Sequence, residues 1–248
     1  MLEKEALEYL VSLGEAHLEE VNGQNYSDKL LHLVKQAIAK PVQVQNLSAI
    51  VTYVKSDFDG TLNSEIGRLL IHIVDPTCVE VRGYLNSDAE RDFYLRAQAY
   101  LPEFAFNHFY DVESFIIKLQ SCFLPSSDRQ EEQNDRSALL SFVGNIEEKD
   151  VKNSADDGVS QKIEVKRSVV NVELEKVPNP VILKPFRTFT EVEQPSSPFI
   201  FRLQNGPLSG LFEADGGAWR REAMANIKKY LNEGLDEYIQ AGRVVIIA

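Results

Sequence analysis

The stretch LLIHIVDPTCVEVRGYL, residues 69–85, decides the fold class of this chain. Both of its halves are rich in β-branched and other apolar side chains, and Asp75-Pro76 divides them with two residues that favour turns. A third apolar run, residues 93–101, follows the polar residues 86–90 with no room for a helix in between. Three short strands joined by short turns predict an antiparallel meander.

Helices and further strands are predicted on either side of the meander. Residues 47–54 fit a short helix or a strand equally well, whereas Asp111 is placed to cap a helix with a clear apolar stripe. Residues 199–212 predict a hairpin, the Asp-Gly-Gly sequence at 215–217 opens a last helix, and residues 244–247 predict a strand that adds to a sheet. The predicted fold class is α+β, with an antiparallel β-rich body, a central helix and a C-terminal hairpin, helix and strand.

The N-terminal residues are predicted to form an acidic helical hairpin. Apolar residues recur at helical spacing from residue 2 to 21, Asn22-Gly23 is expected to end that helix, and a second periodic stretch covers 27–41. A later polar and acidic stretch is expected to be a mobile loop, interrupted by a short apolar island at 138–143 that fits one strand or helix turn. The predicted organisation is a helical hairpin at 1–41, a meander plus helix at 42–124, the mobile loop at 125–161, and a β-rich segment with the C-terminal helix at 162–248.

The composition is that of an ordinary folded chain with an excess of acid. The 248 residues carry 38 Asp and Glu against 26 Lys and Arg, a formal net charge of −12. Phosphate recognition depends on Lys and Arg, so direct nucleic-acid binding is not expected. No apolar stretch approaches the roughly 18–20 residues of a membrane helix, so no membrane contact is expected either. Cys78 and Cys122 belong to no CxxC pair and are interpreted as reduced, buried thiols, and with four scattered histidines they predict no metal and no cofactor.

Two regions of opposite charge predict an interaction surface. The N-terminal helix is strongly acidic, and the last helix carries basic residues on its outer side. Complementary charge sets register and encounter rate, so the two regions are expected to meet between neighbouring copies of the chain. A solvated surface is the alternative interpretation of each region. The residues of the predicted surface are Glu8, Glu15 and Glu19 on the acidic side and Arg220, Arg221, Lys228 and Lys229 on the basic side.

One short motif suggests chemistry. Residues 57–62, DFDGTL, resemble the opening motif of haloacid-dehalogenase-type phosphatases. The resemblance implies that Asp57 is the nucleophile, that Asp59 is the general acid and base, and that both help to hold Mg²⁺. In that family the motif ends a buried parallel strand of an α/β domain, but here the polar residues Lys55 and Ser56 precede it. The β-type runs between residues 69 and 101 also follow one another with no helices between them, unlike the strands of an α/β domain. A polar turn, with Asp and Gly at positions that turns favour, is therefore the preferred interpretation, and no catalytic residue is assigned.

Four segments carry a resemblance to a family. They are NLSAIVTYV (46–54), LLIHIVDPTCVEV (69–81), RAQAYLPEFAFNHFYDVESFIIKLQ (96–120) and SPFIFRLQNGPLSGLFEADGGAWRREAMANIKKYL (197–231). In order and character they are similar to the prophage-encoded YfdQ-like family of phage proteins. The resemblance implies a bacteriophage or prophage origin, the bacterial host cytoplasm, and a gene among early replication or recombination functions. It implies no activity, cofactor or catalytic residue.

These observations favour a non-enzymatic phage accessory protein that acts through self-assembly and protein binding. The expected partners are a second copy of the chain and a basic host or phage protein, with a role in phage replication, recombination or interference with host defence. One alternative is a structural subunit that forms a ring or shell. The other is a Mg²⁺-dependent phosphatase that uses Asp57 and Asp59.

Overall fold

The computed structural model contains a small N-terminal unit and a large β-rich unit. It describes residues 4–14, 16, 18–21, 24–27, 40–62, 67–85, 90–126, 134–145, 152–156, 161–166, 172–176, 179–204 and 208–248. Contacts between Cα atoms divide the chain into the units 1–39 and 40–248. Helices and mixed sheets are both present, so the α+β prediction is confirmed. No helix among the described residues is long and apolar enough to cross a membrane.

The N-terminal unit differs from the predicted helical hairpin. Helix α1 (Lys4–Ser12) is followed by strands β1 (Leu18–Val21) and β2 (Gln24–Ser27), which pair antiparallel. The prediction of helix up to residue 21 is therefore wrong. Val21 pairs with Gln24, which leaves Asn22-Gly23 as the two residues between the strands. Asn-Gly is the strongest signal for a two-residue hairpin, and here it outweighs the helical spacing before it. The second predicted helix lies almost entirely outside the described residues.

The large unit begins with a five-stranded sheet in the order β14-β4-β5-β6-β3. Strands β4, β5 and β6 form the predicted antiparallel meander. The edge strands β14 and β3 pair parallel to β4 and β6, so this sheet is mixed and not purely antiparallel as predicted. The bounds of these strands are β3 Val42–Val44, β4 Leu69–Asp75, β5 Cys78–Leu85, β6 Arg91–Gln98 and β14 Val244–Ile247.

Helices α2 (Ser48–Ser56), α5 (Trp219–Gly234) and α6 (Asp236–Gln240) pack against one face of this sheet. Along β4 the buried side chains alternate with more exposed ones, because successive residues of a strand point to opposite faces. The undecided residues 47–54 are a helix, whose buried Ile50 and Val54 meet the sheet. The centre of this first core is formed by Leu47, Ile50, Val54, Ile71, Ile73, Val79, Val81, Leu95, Ala97, Ile227, Leu231 and Leu235.

A second core lies on a four-stranded antiparallel sheet in the order β11-β12-β13-β7. The predicted N-cap Asp111 accepts a hydrogen bond from Ser114 N at 2.8 Å and begins helix α3. Aromatic side chains dominate here, including Phe106 stacked on Phe199 with 5.2 Å between ring centroids. The elements of this layer are β7 His108–Tyr110, α3 Val112–Cys122, α4 Arg136–Gly144, β11 Val181–Leu183, β12 Ser197–Gln204 and β13 Leu208–Glu213.

The predicted acidic loop is partly structured. Helix α4 and strand β8 (Lys152–Asp156) both lie within residues 125–161, and β8 pairs with β9 (Gln161–Lys166), which pairs with β10 (Val172–Lys176). The loop prediction is therefore wrong for 152–156, where a strand lies, whereas helix α4 covers the apolar island at 138–143 that is predicted to be one strand or helix turn. Its other parts at 127–133, 146–151 and 157–160 lie outside the described residues.

Residues 184–194 join the two cores. Phe189 is buried in the first core, whereas Leu183 just before the segment belongs to the second. Thr188 Oγ1 donates to Pro76 O in the turn between β4 and β5 at 2.6 Å. The buried Gln194 side chain accepts hydrogen bonds from the backbone N–H groups of Arg187 and Thr188. Backbone hydrogen bonds to residues 122 and 124 hold the segment at Lys184 and Phe186, and the Gln194 side chain satisfies backbone groups farther along it.

Candidate functional site

The predicted basic surface lies on helix α5, and a short glycine turn sets its direction. Gly216 and Gly217 have φ angles of 61° and 83°, a region that side-chain-bearing residues rarely adopt. Asp215 Oδ1 accepts from Gly217 N at 2.9 Å, and its Oδ2 accepts from Trp219 N at 3.3 Å. The Asp-Gly-Gly sequence therefore opens the helix as predicted.

The outer face of α5 borders a cleft of about 730 Å³. Ala223, Ile227 and Leu231 face the core, and the predicted basic residues are all exposed. Residues three and four apart share a helix face, which brings side chains 221, 224, 225 and 228 together. The cleft is lined by Asp215, Gly216, Gly217, Ala218, Arg220, Arg221, Met224, Ala225, Lys228 and Ala248.

The lining of the cleft combines positive charge with an apolar floor. Arg220, Arg221 and Lys228 supply three cationic side chains against one acidic side chain, that of Asp215, on a chain whose net charge is −12. Met224 and Ala225 lie between the cations and offer apolar contact. Such a surface suits an acidic segment that also carries apolar side chains, because charge gives register and apolar burial gives affinity.

A buried arginine, Arg187, contacts residues on both sides of the glycine turn that precedes α5. Arg187 is 7% exposed, and its Nη1 donates to Glu213 Oε1 at 2.8 Å while Nη2 donates to Ser197 Oγ. Its guanidinium carbon lies 4.1 Å from the centroid of the Trp219 ring. Burial lowers the pKa of Arg187 to about 10, although the negative charges of Glu213 and Asp215 oppose that effect.

Asp215 lines the cleft and is also hydrogen-bonded to Ser197, which binds the buried Arg187. Ser197 Oγ donates to Asp215 Oδ2 at 3.0 Å, so the carboxylate is held from the sheet side as well as by the helix N–H groups. Burial acts to raise the pKa of Asp215, but the hydrogen bonds from Gly217, Ser197 and Trp219, with the charge of Arg187, lower it overall. Arg187 could not be singled out from the sequence, because a lone arginine among proline and phenylalanine residues has no diagnostic spacing.

The structure brings together only part of the predicted interaction surface. Arg220, Arg221 and Lys228 line the cleft, whereas Lys229 is exposed on α5 outside the lining. On the acidic side, Glu8 is exposed on α1 and lies 3.6 Å from Lys4, and Glu19 lies on strand β1. The predicted Glu15 is outside the described residues. Among those residues, no group of three or more His, Cys, Asp and Glu side chains is arranged to hold a metal ion.

The DFDGTL motif forms a turn at the end of a helix. Asp57 follows the last residue of α2 in a left-handed conformation, with φ 44°, and its Oδ1 accepts from Leu62 N at 2.9 Å. Asp59 Oδ2 accepts from the phenol of Tyr53 at 2.6 Å. The phosphatase interpretation needs a buried parallel strand before Asp57, and a helix stands there instead. The preferred turn interpretation agrees with this geometry.

The Tyr53–Asp59 pair predicts how stability responds to alkali. Burial first, and then the hydrogen bond to Asp59, raise the pKa of Tyr53 above its ordinary value of about 10. The unfolded chain loses that phenol proton first, so the stabilisation is complete below about pH 10 and is lost as the pH rises further. We expect the urea midpoint of Tyr53→Phe to fall less steeply than that of wild type between about pH 9 and 11. At pH 7 the substitution should lower the free energy of unfolding by about 1 kcal/mol. An unchanged alkaline slope would contradict this, and the exposed Tyr84→Phe is the control.

No protein-family model, curated protein or solved structure matches this chain.

Proposed function

We propose that this is a non-enzymatic protein that acts through self-assembly and protein binding, with the α5 cleft of one copy receiving the acidic helix α1 of another. The observation that carries the proposal is the cleft, in which Arg220, Arg221 and Lys228 surround an apolar floor. Although the chain as a whole carries a large excess of acidic residues, three basic side chains lie together at this cleft. That arrangement favours an acidic partner surface over a neutral one.

Helix α1 offers a surface of matching character. Glu5, Glu8 and Tyr9 are exposed at helical spacing, and Tyr9 is 64% exposed. A nine-residue helix and a two-stranded hairpin are each marginal in water without further packing. The N-terminal unit therefore gains from burying its apolar side chains against a partner, and the cleft provides both apolar contact and opposite charge.

The contact joins two different surfaces, which has consequences for the assembly. A head-to-tail contact of this kind closes into a ring or continues as an open filament, so it also supports the alternative of a ring- or shell-forming subunit. Exposed charge pairs each contribute only about 0.2–1 kcal/mol, so charge is expected to set register while apolar burial holds the copies together.

The wider setting belongs to the same proposal. The resemblance of the four quoted segments supports a phage or prophage origin, and with it the host cytoplasm and a role in phage replication, recombination or interference with host defence. The acidic surface of α1 also suits a basic host or phage protein, which would compete with the cleft for the same helix.

A charge exchange tests the proposed contact. We expect wild type to form assemblies larger than a dimer at micromolar concentration in low salt, and Arg221→Glu/Lys228→Glu to lose them, so that the mass from light scattering stays at or below that of a dimer. Glu5→Lys/Glu8→Lys should lose the larger assemblies as well, and mixing the two variants should restore them, because each then supplies the charge that the other needs. Lys229→Glu is the matched control, since this residue is equally exposed on α5 but lies outside the cleft.

Two results would overturn the proposal. One is a strictly monomeric wild type at micromolar concentration at every ionic strength. The other is a Lys229→Glu variant that dissociates as fully as the double variant, because the effect would then follow net charge and not the cleft.

A further inference from the structure

Strand β14 is an edge of the five-stranded sheet with nothing in its sequence to prevent further pairing. Its four residues are Val, Val, Ile and Ile, all β-branched, and among the described residues only β4 pairs with it. Natural edge strands are protected by proline, charge or a bulge. By contrast, β3 at the opposite edge of this sheet follows Pro41 directly, and the edge strand β11 of the four-stranded sheet lies between Pro180 and Pro185. We infer that β14 pairs antiparallel with β14 of a second copy.

The hydrogen-bond pattern of β14 shows which groups face the free edge. Leu69 N donates to Arg243 O at 2.8 Å, so the carbonyl group of Arg243 points toward β4. Backbone groups alternate in direction along a strand, so those of Val245 and Ile247 also point toward β4. The N–H and C=O groups of Val244 and Ile246 therefore point away from the sheet, as a strand-pairing surface does.

This pattern is complementary to itself. When two such strands run antiparallel about a two-fold axis at Val245, Val244 faces the partner's Ile246 and each pair exchanges two hydrogen bonds. Val245 then faces the partner's Val245 as a non-hydrogen-bonded pair, the arrangement in which side chains approach most closely. Val245 is 51% exposed in one copy, and pairing buries it against an equally apolar side chain.

Charge also favours a second copy as the occupant. No residue of β14 is charged, so the strand itself offers nothing to select an acidic or basic segment. The nearest cationic cleft borders Ala248, three residues beyond the axis. In the proposed pair the two copies of Ala248 lie on opposite sides of the axis, roughly 20 Å apart at ~3.3 Å per residue. This distance is well beyond the screening length of about 8 Å, so repulsion between the two cationic clefts does not oppose the pairing. This second interface goes beyond the cleft contact and does not depend on it.

Cysteine capture tests the register. In the proposed pairing the two copies of residue 245 have Cα atoms about 4.5 Å apart, within the range that a disulfide spans, so Val245→Cys should form a covalent dimer under mild oxidation. The control is Ile247→Cys, which is on the same face and 42% exposed, but whose copies are then roughly 13 Å apart. We expect dimer formation at least about tenfold faster for Val245→Cys on non-reducing gels. Cys78 and Cys122 are both buried and should not contribute.

Further variants separate this interface from the cleft. Ile246→Pro in the Val245→Cys chain removes an N–H that faces the free edge, where proline is tolerated, and should abolish the cross-link while circular dichroism stays native. Arg221→Glu/Lys228→Glu in the same chain should leave the cross-link intact. Equal rates for residues 245 and 247, or no cross-link for either, would overturn the inference and leave the charge-exchange test unaffected.

Discussion

Replacing Arg187 by methionine should lower the free energy of unfolding by about 3 kcal/mol, the loss expected when one partner of a buried ion pair is removed. Methionine keeps most of the side-chain volume, so the loss reports charge and hydrogen bonding more than an empty cavity. Glu213 would lose its 2.8 Å ion pair, and Ser197 would lose the donor that holds it. The cation over the Trp219 ring would also be lost.

Urea unfolding followed by tryptophan fluorescence measures this effect directly, because Trp219 is the only tryptophan of the chain. The matched control is Arg220→Met, which removes an exposed guanidinium 5.4 Å from the same ring and should cost less than about 1 kcal/mol. Adding Glu213→Gln to Arg187→Met should recover part of the loss, since the unpaired carboxylate is then gone. A change within about 0.5 kcal/mol of wild type for Arg187→Met would contradict the prediction, because it would show that Glu213 needs no buried cationic partner.

Gln194→Leu should cost about 2–4 kcal/mol, because the side chain serves several buried backbone groups at once. Its Oε1 accepts from Arg187 N at 3.0 Å and from Thr188 N at 3.2 Å, and its Nε2 donates to Phe189 O at 2.9 Å. Leucine has a similar size but satisfies none of them. The segment 184–194 should therefore loosen, and both cores should lose protection from amide hydrogen exchange.

Gln98→Leu is the control for this change. Gln98 also bonds to backbone, donating to Thr77 O at 3.1 Å, but it is exposed and water can replace its hydrogen bond. We expect a loss below about 1 kcal/mol for that variant. If Gln194→Leu were equally mild, the path of 184–194 would have to be fixed by the burial of Phe189 and not by the glutamine.

The central meander and the C-terminal elements were predictable because local signals agreed with the tertiary structure. Asp75-Pro76 stands between two β-type runs, and Asp111 and the Asp-Gly-Gly sequence at 215–217 begin helices where they were predicted to do so. Residues 47–54 stayed undecided because Ile and Val suit strands while their spacing suits a helix. The helix is favoured because it places Ile50 and Val54 on one face, where both are buried against the sheet. That burial is a tertiary contact, so it is not visible in the local sequence.

The errors occurred where one short signal had two meanings. Asn22-Gly23 can end a helix or connect two strands, and the pairing of Val21 with Gln24 selects the second meaning. For the site, helical spacing was enough to place Arg221 and Lys228 on one face. Arg187 could not be found in this way, because Glu213 and Ser197 reach it from other parts of the chain.

The parallel pairing of β14 with β4 has a consequence for synthesis of the protein. Leu69 is matched with Val244, so the side of β4 that β14 occupies stays open while all the intervening residues are made. Contacts between such distant parts of a chain form slowly, and unpaired strands are prone to aggregate meanwhile. A ribosome-bound chain stopped before residue 244 should thus bind chaperones more strongly than one released in full.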